Sequence, residues 1–439
     1  MTKIKRLMDW LDKSTCNYLA VKNVASELLK SGFLQLHQNS HWKIHPGGKY
    51  FMIKNDSAIF AFSVGKGISS FINGSFFIAA HSDSPCLRVK PNPEIYGEGG
   101  VVSLNVEKYG GGILSTWFDR PLSMSGRITL KSENPLYPST DLFDYEAPIA
   151  VVPNLAIHFN RGVNEGYPIS VQKDMKPVIG YFPIDEILRA REKYGFLLPV
   201  IASKAGYEPD QILDYDVSLY PCEKALLCGL KEEYIMSARI DDLSMVFAGL
   251  EALLNTTTEE DDFDHIRFLA IFDNEETGSG TRQGAASPVL RDMLERIAYS
   301  LGCNKEQFHQ GVANSFMISA DNAHAWHPNY NEKYDPTNHP VIGGGPVIKI
   351  NSNGKYMTDS VGAAVFKSLC YKAGVNYQVF VNHSDVAGGS TLGNILTSQL
   401  DINGVDVGNP IWAMHSAIET GGVADHLDMI KVFETFWRK

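Results

Sequence analysis

Cysteine is scarce in this sequence, and the cysteines present form no recognisable module. The six cysteines among 439 residues are spread widely and include no Cys-x-x-Cys pair of the kind that zinc modules and redox sites use. Each is therefore expected to be a small buried side chain and not a ligand or a nucleophile. The pattern predicts a reducing compartment, and hence a cytoplasmic protein.

Positive charge is also in short supply. Lysine and arginine total 39 against 50 aspartates and glutamates, which gives a formal net charge of −11. Nucleic acids and anionic membranes attract clustered lysine and arginine, so the sequence predicts neither of them as a partner. Asp9 and Asp12 interrupt any apolar run in the first 19 residues. We therefore expect no signal peptide or membrane anchor there.

What remains is the composition of a globular protein. Hydrophobic residues make up 44% of the chain and charged residues 20%, with 38 glycines and 21 prolines, which excludes a largely disordered chain. The length exceeds what one hydrophobic core usually serves, so two domains are expected. A single large α/β unit with an insertion fits equally well.

Five short apolar runs end abruptly in histidine or acidic residues. The runs are residues 76–80 before His81 and Asp83, 234–238 before Asp241, 268–272 before Glu275 and Glu276, 316–318 before Asp321, and 411–414 before His415. Continuous apolar runs of this length are typical of strands buried on both faces of a sheet. Since ligands bind at the carboxyl ends of strands in open α/β sheets, the five polar clusters are predicted to converge on one crevice.

Helical and β-rich segments complete the predicted fold. Apolar residues recur with helical spacing in residues 243–254 and 289–301, so helices are expected to cover the sheet. Between these parts lie short alternating stretches broken by glycine and proline, which indicate a mostly β insertion. We predict an α/β fold with a mixed sheet covered by helices, a catalytic domain formed by residues 1–91 and 232–439, and an inserted β-rich domain formed by residues 92–231.

The five run ends offer a consistent set of metal ligands. Two neighbouring divalent cations need a shared bridging carboxylate and further histidine or carboxylate ligands. The candidate ligands are His81, Asp241, Glu276, Asp321 and His415. Two imidazoles and three carboxylates suit zinc, cobalt or manganese better than a thiolate site would. A His-Glu-x-x-His helix is absent from the sequence, so the single-zinc protease arrangement is not supported.

Two further carboxylates have predicted roles beside these ligands. Glu275 is adjacent to Glu276, so one can bind a cation while the other stays free to act as a general base toward water. Asp83 lies two residues beyond His81, where it can accept the second ring N–H and fix the tautomer.

Each of these residues also has a plainer interpretation. Asp241 can cap a helix, and Glu275 can favour a helix N-terminus through the dipole. His158 lies on a predicted apolar strand of the insertion, residues 155–159, where a lone histidine is more often structural. His324 follows Asp321 closely, which favours a place near a substrate. Lys349 either offers a cation to a substrate carboxylate or faces solvent.

Several motifs together resemble those of the aspartyl aminopeptidase family, whose members are co-catalytic metallo-aminopeptidases. The matching segments span nearly the whole chain and occur in the expected order. They are residues 46–51 (PGGKYF), 80–85 (AHSDSP), 155–158 (LAIH), 237–241 (SARID), 273–279 (DNEETGS), 319–325 (SADNAHA), 345–349 (GPVIK) and 413–416 (AMHS).

The resemblance implies a role for each matching residue. One cation would be held by His81 and Asp321, a second by Glu276 and His415, and Asp241 would bridge them, with Glu275 as the general base. The residues implied near the peptide substrate are His158, His324, Lys349 and Tyr356, with His158 reaching a neighbouring subunit. Assembly into a homo-oligomer, a dodecamer, is likewise implied by similarity.

Three positions depart from the family pattern. Asp242 stands where the family usually has asparagine, residues 382–385 lack a common arginine, and Gly388 replaces a common cysteine. The resemblance implies a substrate whose N-terminal residue is acidic. Because of these departures, a neutral apolar N-terminal residue is an alternative. Two rival functions also fit the ligand set: a dinuclear-metal amidase or deacylase on small N-acyl substrates, and a non-catalytic oligomeric scaffold.

Overall fold

The computed structural model describes residues 2–258 and 262–438, and these residues form two compact units. Unit 1 consists of Met1–Asp83, Ala225–Met414 and Glu419–Lys439. Unit 2 consists of Ser84–Lys224 and the short segment His415–Ile418. The domain limits at 91 and 232 stay a prediction from the sequence.

The helices and strands are numbered in chain order. The α-helices are α1 (Lys3–Lys13), α2 (Asn17–Lys30), α3 (Val171–Asp174), α4 (Ile184–Arg191), α5 (Leu197–Ala205), α6 (Ile240–Asn255), α7 (Val289–Ser300), α8 (Lys305–Ala313), α9 (Ser360–Ala373), α10 (Leu392–Leu396) and α11 (Val423–Trp437). The strands are β1 (Leu34–Gln35), β2 (Lys49–Lys54), β3 (Ala58–Val64), β4 (Ser75–His81), β5 (Cys86–Tyr96), β6 (Val101–Tyr109), β7 (Leu122–Leu130), β8 (Ser139–Asp144), β9 (Val178–Tyr181), β10 (Ile212–Pro221), β11 (Leu226–Cys228), β12 (Tyr234–Ser237), β13 (Ile266–Phe272), β14 (Phe316–Ala320), β15 (Ala323–His324), β16 (Val347–Lys349), β17 (Gln378–Phe380), β18 (Asn403–Gly408), β19 (Pro410–Trp412) and β20 (Glu419–Gly422).

Unit 1 is built on a nine-stranded mixed sheet with helices on both faces. The strand order is β1–β2–β3–β13–β4–β14–β18–β16–β17, and β4 pairs in parallel with both β13 and β14. Alternate residues of β4 face two separate cores: Ile78 packs in the core that includes α1, α2, α6, α9 and α11, and Phe77 packs in the core that includes α7, α8 and α10. Because both faces are covered, the strand sequence is continuously apolar. The predicted α/β fold class is confirmed.

Only three of the five predicted apolar runs become neighbours in this sheet. These are β4, β13 and β14. The runs at 234–238 and 411–414 instead contribute β12 and β19 to a separate five-stranded sheet of unit 1, in the order β11–β12–β20–β19–β15. The apolar pattern identified strands correctly, but β12 alternates between buried and half-buried residues, and the pattern carried no information on which sheet each strand would join.

Unit 2 is built on a six-stranded antiparallel sheet in the order β8–β7–β10–β5–β6–β9. One core of buried apolar residues packs its strands against α5, where Leu197 and Ile201 are buried. The predicted strand at 155–159 is wrong, because this segment forms an irregular loop ending in a turn, with Leu155, Ile157 and Phe159 exposed. Among the helices that the structure describes, none is long and apolar enough to cross a membrane.

Candidate metal centre

Parallel strands of unit 1 end side by side and carry the first polar groups of the centre. His81 is the last residue of β4 and lies level with Phe272, the last residue of β13. Asp321 follows directly after β14, on the other side of β4. Since parallel strands present their carboxyl ends at one edge of the sheet, residues far apart in sequence meet there.

A buried cluster of four potential ligands lies at this edge. His81, Asp241, Asp242 and Asp321 each offer one ligand atom within 4.8 Å of the others, and all four are buried. Nε2 of His81 lies 3.7 Å from Oδ1 of Asp241. Asp241 and Asp242 are positioned by the start of α6, which follows Arg239 in the left-handed conformation with φ of 60°.

A second cluster shares His81 with the first. It contains His81, Glu275 and Glu276, again with one ligand atom from each within 4.8 Å of the others. The two glutamates occupy a 3-10 turn after Asn274, whose φ of 62° reverses the chain as it leaves β13. Asparagine tolerates this left-handed conformation better than most residues.

His415 belongs to unit 2. It has a positive φ of 68°, and its Nδ1 lies 3.4 Å from the backbone oxygen of Gly111. Its assignment as a metal ligand stays a prediction from the sequence.

Asp83 organises the second cluster through three neighbours. Its Oδ1 accepts the backbone N–H of Glu275 at 3.1 Å, and its Oδ2 accepts the backbone N–H of Glu276 at 3.2 Å. Nδ1 of His81 lies 3.0 Å from the backbone oxygen of Asp83 and 3.5 Å from Oδ1. A protonated Nδ1 leaves Nε2 of His81 as the available ligand atom. The contacts of Asp83 therefore set the tautomer of His81 and also hold the turn that carries Glu275 and Glu276.

Two buried residues that the sequence did not single out hold Asp241 in place. Oε2 of Glu419 accepts the backbone N–H of Asp241 at 2.9 Å, and Nδ2 of Asn322 donates to the oxygen of Ile240 at 2.9 Å. Asn322 lies beside Asp321 in a matching motif, which was the available signal. Glu419 had none, because a buried acid has no local sequence pattern that separates it from an exposed one.

Burial disfavours the charged form of three carboxyl groups in these clusters, those of Asp242, Asp321 and Glu275. It raises the pKa of Asp242 well above its usual value and also raises the pKa of Asp321, with neighbouring carboxylates adding to both shifts. Burial raises the pKa of Glu275 to about 8, and the nearby Asp321 and Glu276 contribute. Three or more carboxyl groups this close cannot all ionise without a compensating positive charge.

The same electrostatics shows that the residues fit a divalent cation. Burial alone would lower the pKa of His81, yet the carboxylates of Asp242 and its neighbours raise it well above the usual value. The negative charge of the surrounding carboxylates therefore favours a proton on this buried imidazole. A metal ion would take the place of that proton, since imidazole ligands bind in the neutral form.

Lys349 belongs to the buried surroundings of this centre. Its side chain is 4% exposed, with Nζ 3.4 Å from Oδ2 of Asp321 and donating to the oxygen of Asn322 at 2.8 Å. Burial would lower its pKa, but Asp321 raises it above the usual value. The alternative that Lys349 faces solvent is therefore wrong.

Two other substrate candidates lie near Phe380, and one of them also lies near Lys349. The ring of Tyr356 is 5.7 Å from Nζ of Lys349, and Tyr356 packs in a small buried cluster with Phe380. The ring of His324 lies 5.8 Å from that of Phe380, while its side chain stays exposed. His158 lies in the exposed loop of unit 2.

Fold and site together define a class of protein. A buried set of histidine and carboxylate ligands at the ends of parallel strands, with a glutamate beside it, is the arrangement of a metal-dependent hydrolase. The sequence model of the family described as "Aminopeptidase I zinc metalloprotease (M18)" matches residues 10–437. The chain belongs to this M18 family, and the predicted resemblance is confirmed.

Curated relatives match over their full length. The probable M18 family aminopeptidase 2 of Clostridium acetobutylicum is 46% identical over 433 residues, which cover 99% of this chain and 98% of the relative. That of Clostridium novyi is 46% identical over 431 residues, covering 98% and 97%. The chain is accordingly a metallo-aminopeptidase that removes N-terminal residues, and neither the amidase nor the scaffold alternative is favoured.

Solved structures show the same fold. One chain in the cryo-EM structure of the Ape4 and Nbr1 complex gives a TM-score of 0.95 at 35% identity, covering 99% of this chain and 85% of that one. The mApe1 dodecamer of Saccharomyces cerevisiae gives a TM-score of 0.85 at 28% identity, covering 99% of this chain and 96% of that one. Membership of a zinc metalloprotease family and the buried His81 cluster both fit metal binding.

Proposed function

We propose that this aminopeptidase uses two divalent cations. Zinc is the first candidate for both, and cobalt and manganese are alternatives. The observation that carries the proposal is the presence of two ligand clusters that share His81. His81 and Asp321 would hold one cation, Glu276 the other, and Asp241 would bridge them. The family resemblance also gives His415 to the second cation, and this assignment stays a prediction.

Bound cations would polarise the scissile carbonyl and make water more acidic. Glu275 then acts as the general base: its carboxylate takes a proton from the attacking water and returns it to the amide nitrogen of the departing peptide. Asp83 holds the Glu275 backbone through Oδ1 while Oδ2 holds that of Glu276. This support allows one glutamate to bind metal while its neighbour moves protons.

We propose that the N-terminal side chain of the substrate binds near His324, Lys349 and Tyr356. An acidic side chain is the first candidate, because Lys349 supplies positive charge to this region. A specific observation favours a neutral apolar side chain as the second candidate: Nζ of Lys349 already pairs with Asp321 and donates to the oxygen of Asn322. Because Asp321 and the oxygen of Asn322 already interact with the charged Nζ of Lys349, the attraction of Lys349 for a substrate carboxylate is weaker.

We propose further that the protein assembles into a homo-oligomer, a dodecamer like that of the yeast neighbour, in the cytoplasm. The exposed loop of unit 2 supports the assembly, because Leu155, Ile157 and Phe159 are 59%, 47% and 81% exposed around His158. Large exposed apolar side chains in a cluster are typical of protein interfaces. The inserted unit would then have an oligomerisation role. All six cysteines are free thiols, which supports the reducing compartment.

A panel of substrates tests the function. Aminoacyl substrates of Asp, Glu, Leu and Lys are assayed with zinc, cobalt or manganese, beside the same compounds with a blocked amino group. Hydrolysis that requires a free amino group is the expected result. Preference for the blocked compounds would contradict the proposal, and mass photometry of the same preparation measures the subunit number.

A further inference from the structure

Asp406 is a buried carboxylate that the mechanism above does not use. It lies on β18 with no measurable exposure, opposite Ser319 of β14 in the parallel register. β14 is the strand that leads into Asp321. Asp406 is thus two residues back along the sheet from the edge where the ligands gather.

The carboxylate of Asp406 connects two chain segments outside the sheet. Oδ2 accepts the backbone N–H of Met357 at 2.6 Å, and Oδ1 accepts the hydroxyl of Thr391 at 2.6 Å. The backbone N–H of Asp406 donates to the hydroxyl of Thr358 at 2.8 Å. These short bonds fix the segment that carries Met357 and Thr358, and the segment that leads into α10, to the same strand.

Close packing shows that the chain is built to admit this carboxylate. A Cβ on Gly393 would lie 2.5 Å from Oδ2 of Asp406, so the first turn of α10 approaches closely only because glycine is there. A Cβ on Gly404 would overlap the side chain of Met357. Both glycines therefore allow the segments to sit against β18 at hydrogen-bond distance.

The hydrogen bond between Asp406 and the backbone N–H of Met357 also affects the preceding residue, Tyr356. The nitrogen of Met357 and the carbonyl of Tyr356 belong to one planar peptide group, so a hydrogen bond that holds this nitrogen also restricts the orientation of the Tyr356 carbonyl. The Tyr356 ring reaches Phe380 and lies 5.7 Å from Nζ of Lys349. Asp406 is thereby linked to the proposed substrate region through one peptide unit.

We propose that Asp406 is a positioning residue that sets selectivity for the N-terminal side chain of the substrate by holding the Tyr356 peptide. The inference rests on the proposed substrate region. Asp406 is hydrogen-bonded to Met357, Thr358 and Thr391, so its proposed effect is on how well Tyr356 is aligned with Lys349. A misaligned pocket weakens binding of the preferred side chain more than it slows the chemistry at the scissile bond.

The test compares Asp406→Ala with the conservative Asp406→Asn. Asp406→Ala removes both acceptors, and KM for the preferred aminoacyl substrate is expected to rise about tenfold, with kcat and the rates on an alanyl substrate within about twofold of the parent. Asp406→Asn keeps one oxygen for the Met357 N–H while its amide can donate to Thr391. It is expected to restore KM to within about threefold of the parent.

Asp425→Ala is the matched control. Asp425 is equally buried and its carboxylate accepts the backbone N–H groups of Gly343 and Gly345 at 2.7 and 2.8 Å, but it binds no segment that carries Tyr356. Its replacement is expected to lower the melting temperature without changing the ratio of kcat/KM between substrates. A purely structural role of Asp406 would give the same result for both alanine variants.

Hydrogen–deuterium exchange provides a readout independent of turnover. We expect the Met357 amide to exchange faster in Asp406→Ala than in the parent, and more slowly in Asp406→Asn than in Asp406→Ala. The zinc bound per subunit should be unchanged in both variants. Equal loss of kcat on every substrate, or an unchanged Met357 amide, would overturn the role of Asp406 while leaving the proposed function intact. A parent enzyme inactive on the whole panel would instead overturn both.

Discussion

The backbone N–H of Glu275 donates a hydrogen bond to Oδ1 of Asp83, at 3.1 Å, across 192 positions of sequence. The second oxygen of the same carboxylate accepts the N–H of the following residue at 3.2 Å. Asp83 is also the residue whose backbone oxygen faces Nδ1 of His81. One buried acid therefore orients His81 and Glu276, which are the proposed ligands, and Glu275, which is the proposed base.

Asp83→Asn is expected to reduce kcat/KM by about 10- to 100-fold, because its side-chain nitrogen cannot accept a backbone N–H and one of the two glutamates loses its support. Zinc affinity should fall within the same range. Steady-state kinetics and zinc titration measure both effects. Asp359→Asn serves as the control, since Asp359 also accepts a backbone N–H, from Gly362 at 2.8 Å, but caps α9. Unchanged kinetics in Asp83→Asn would contradict this positioning role.

Glu275→Gln separates metal binding from proton transfer. The amide cannot take a proton from water, so kcat is expected to fall by about 100- to 10,000-fold. Zinc content per subunit, measured by atomic emission, should match that of the parent. Retention of most of the activity would remove Glu275 as the base, and loss of zinc would make it a ligand.

Zinc binding is expected to release protons. Burial raises the pKa values of Asp242, Asp321 and Glu275, the last to about 8, and the surrounding carboxylates raise that of His81. The raised pKa values mean that protons compete with a cation for the metal-free site, so the affinity for zinc should weaken as the pH falls. Calorimetry in two buffers of different ionisation enthalpy measures the number released. Binding without proton release would contradict the charge account.

His426 makes stability sensitive to acid. It is buried on α11, neither ring nitrogen has a hydrogen-bond partner in the described part of the chain, and burial lowers its pKa to about 3. Its unfolded pKa is about 6.5, so above that pH neither state is charged and the group contributes nothing. Between about 6.5 and 3 only the unfolded chain binds the proton, and stability falls by up to about 1.4 kcal/mol per pH unit.

His426→Leu should therefore weaken the decline of melting temperature between pH 6.5 and 4.5. It should also keep or raise the melting temperature at pH 7.5, because an unpartnered polar group is removed. His426→Gln is the matched polar control, since it does not titrate and should flatten the pH dependence alone. If the melting temperatures of the parent and both variants fall equally as the pH is lowered, another group causes the acid sensitivity.

The sequence predicted which polar side chains cluster better than it predicted the residues that support them. His81, Asp241, Glu276 and Asp321 each follow an apolar run, and that local pattern survives folding. Glu419 was missed because its bond to the Asp241 backbone spans 178 positions and has no local pattern. The segment around His158 was misassigned because exposed apolar residues of a loop have the same composition as a buried strand. Burial and contacts in the folded chain, and not residue type, distinguish Glu419 from an exposed acid and the loop around His158 from a buried strand.

The most direct test is an anomalous diffraction experiment at the zinc edge on crystals of the zinc-loaded protein. Two peaks are predicted, each about 2.0 to 2.2 Å from ligand atoms drawn from His81, Asp241, Glu276 and Asp321, with Asp241 touching both. A single peak, or peaks away from these side chains, would contradict the two-cation centre.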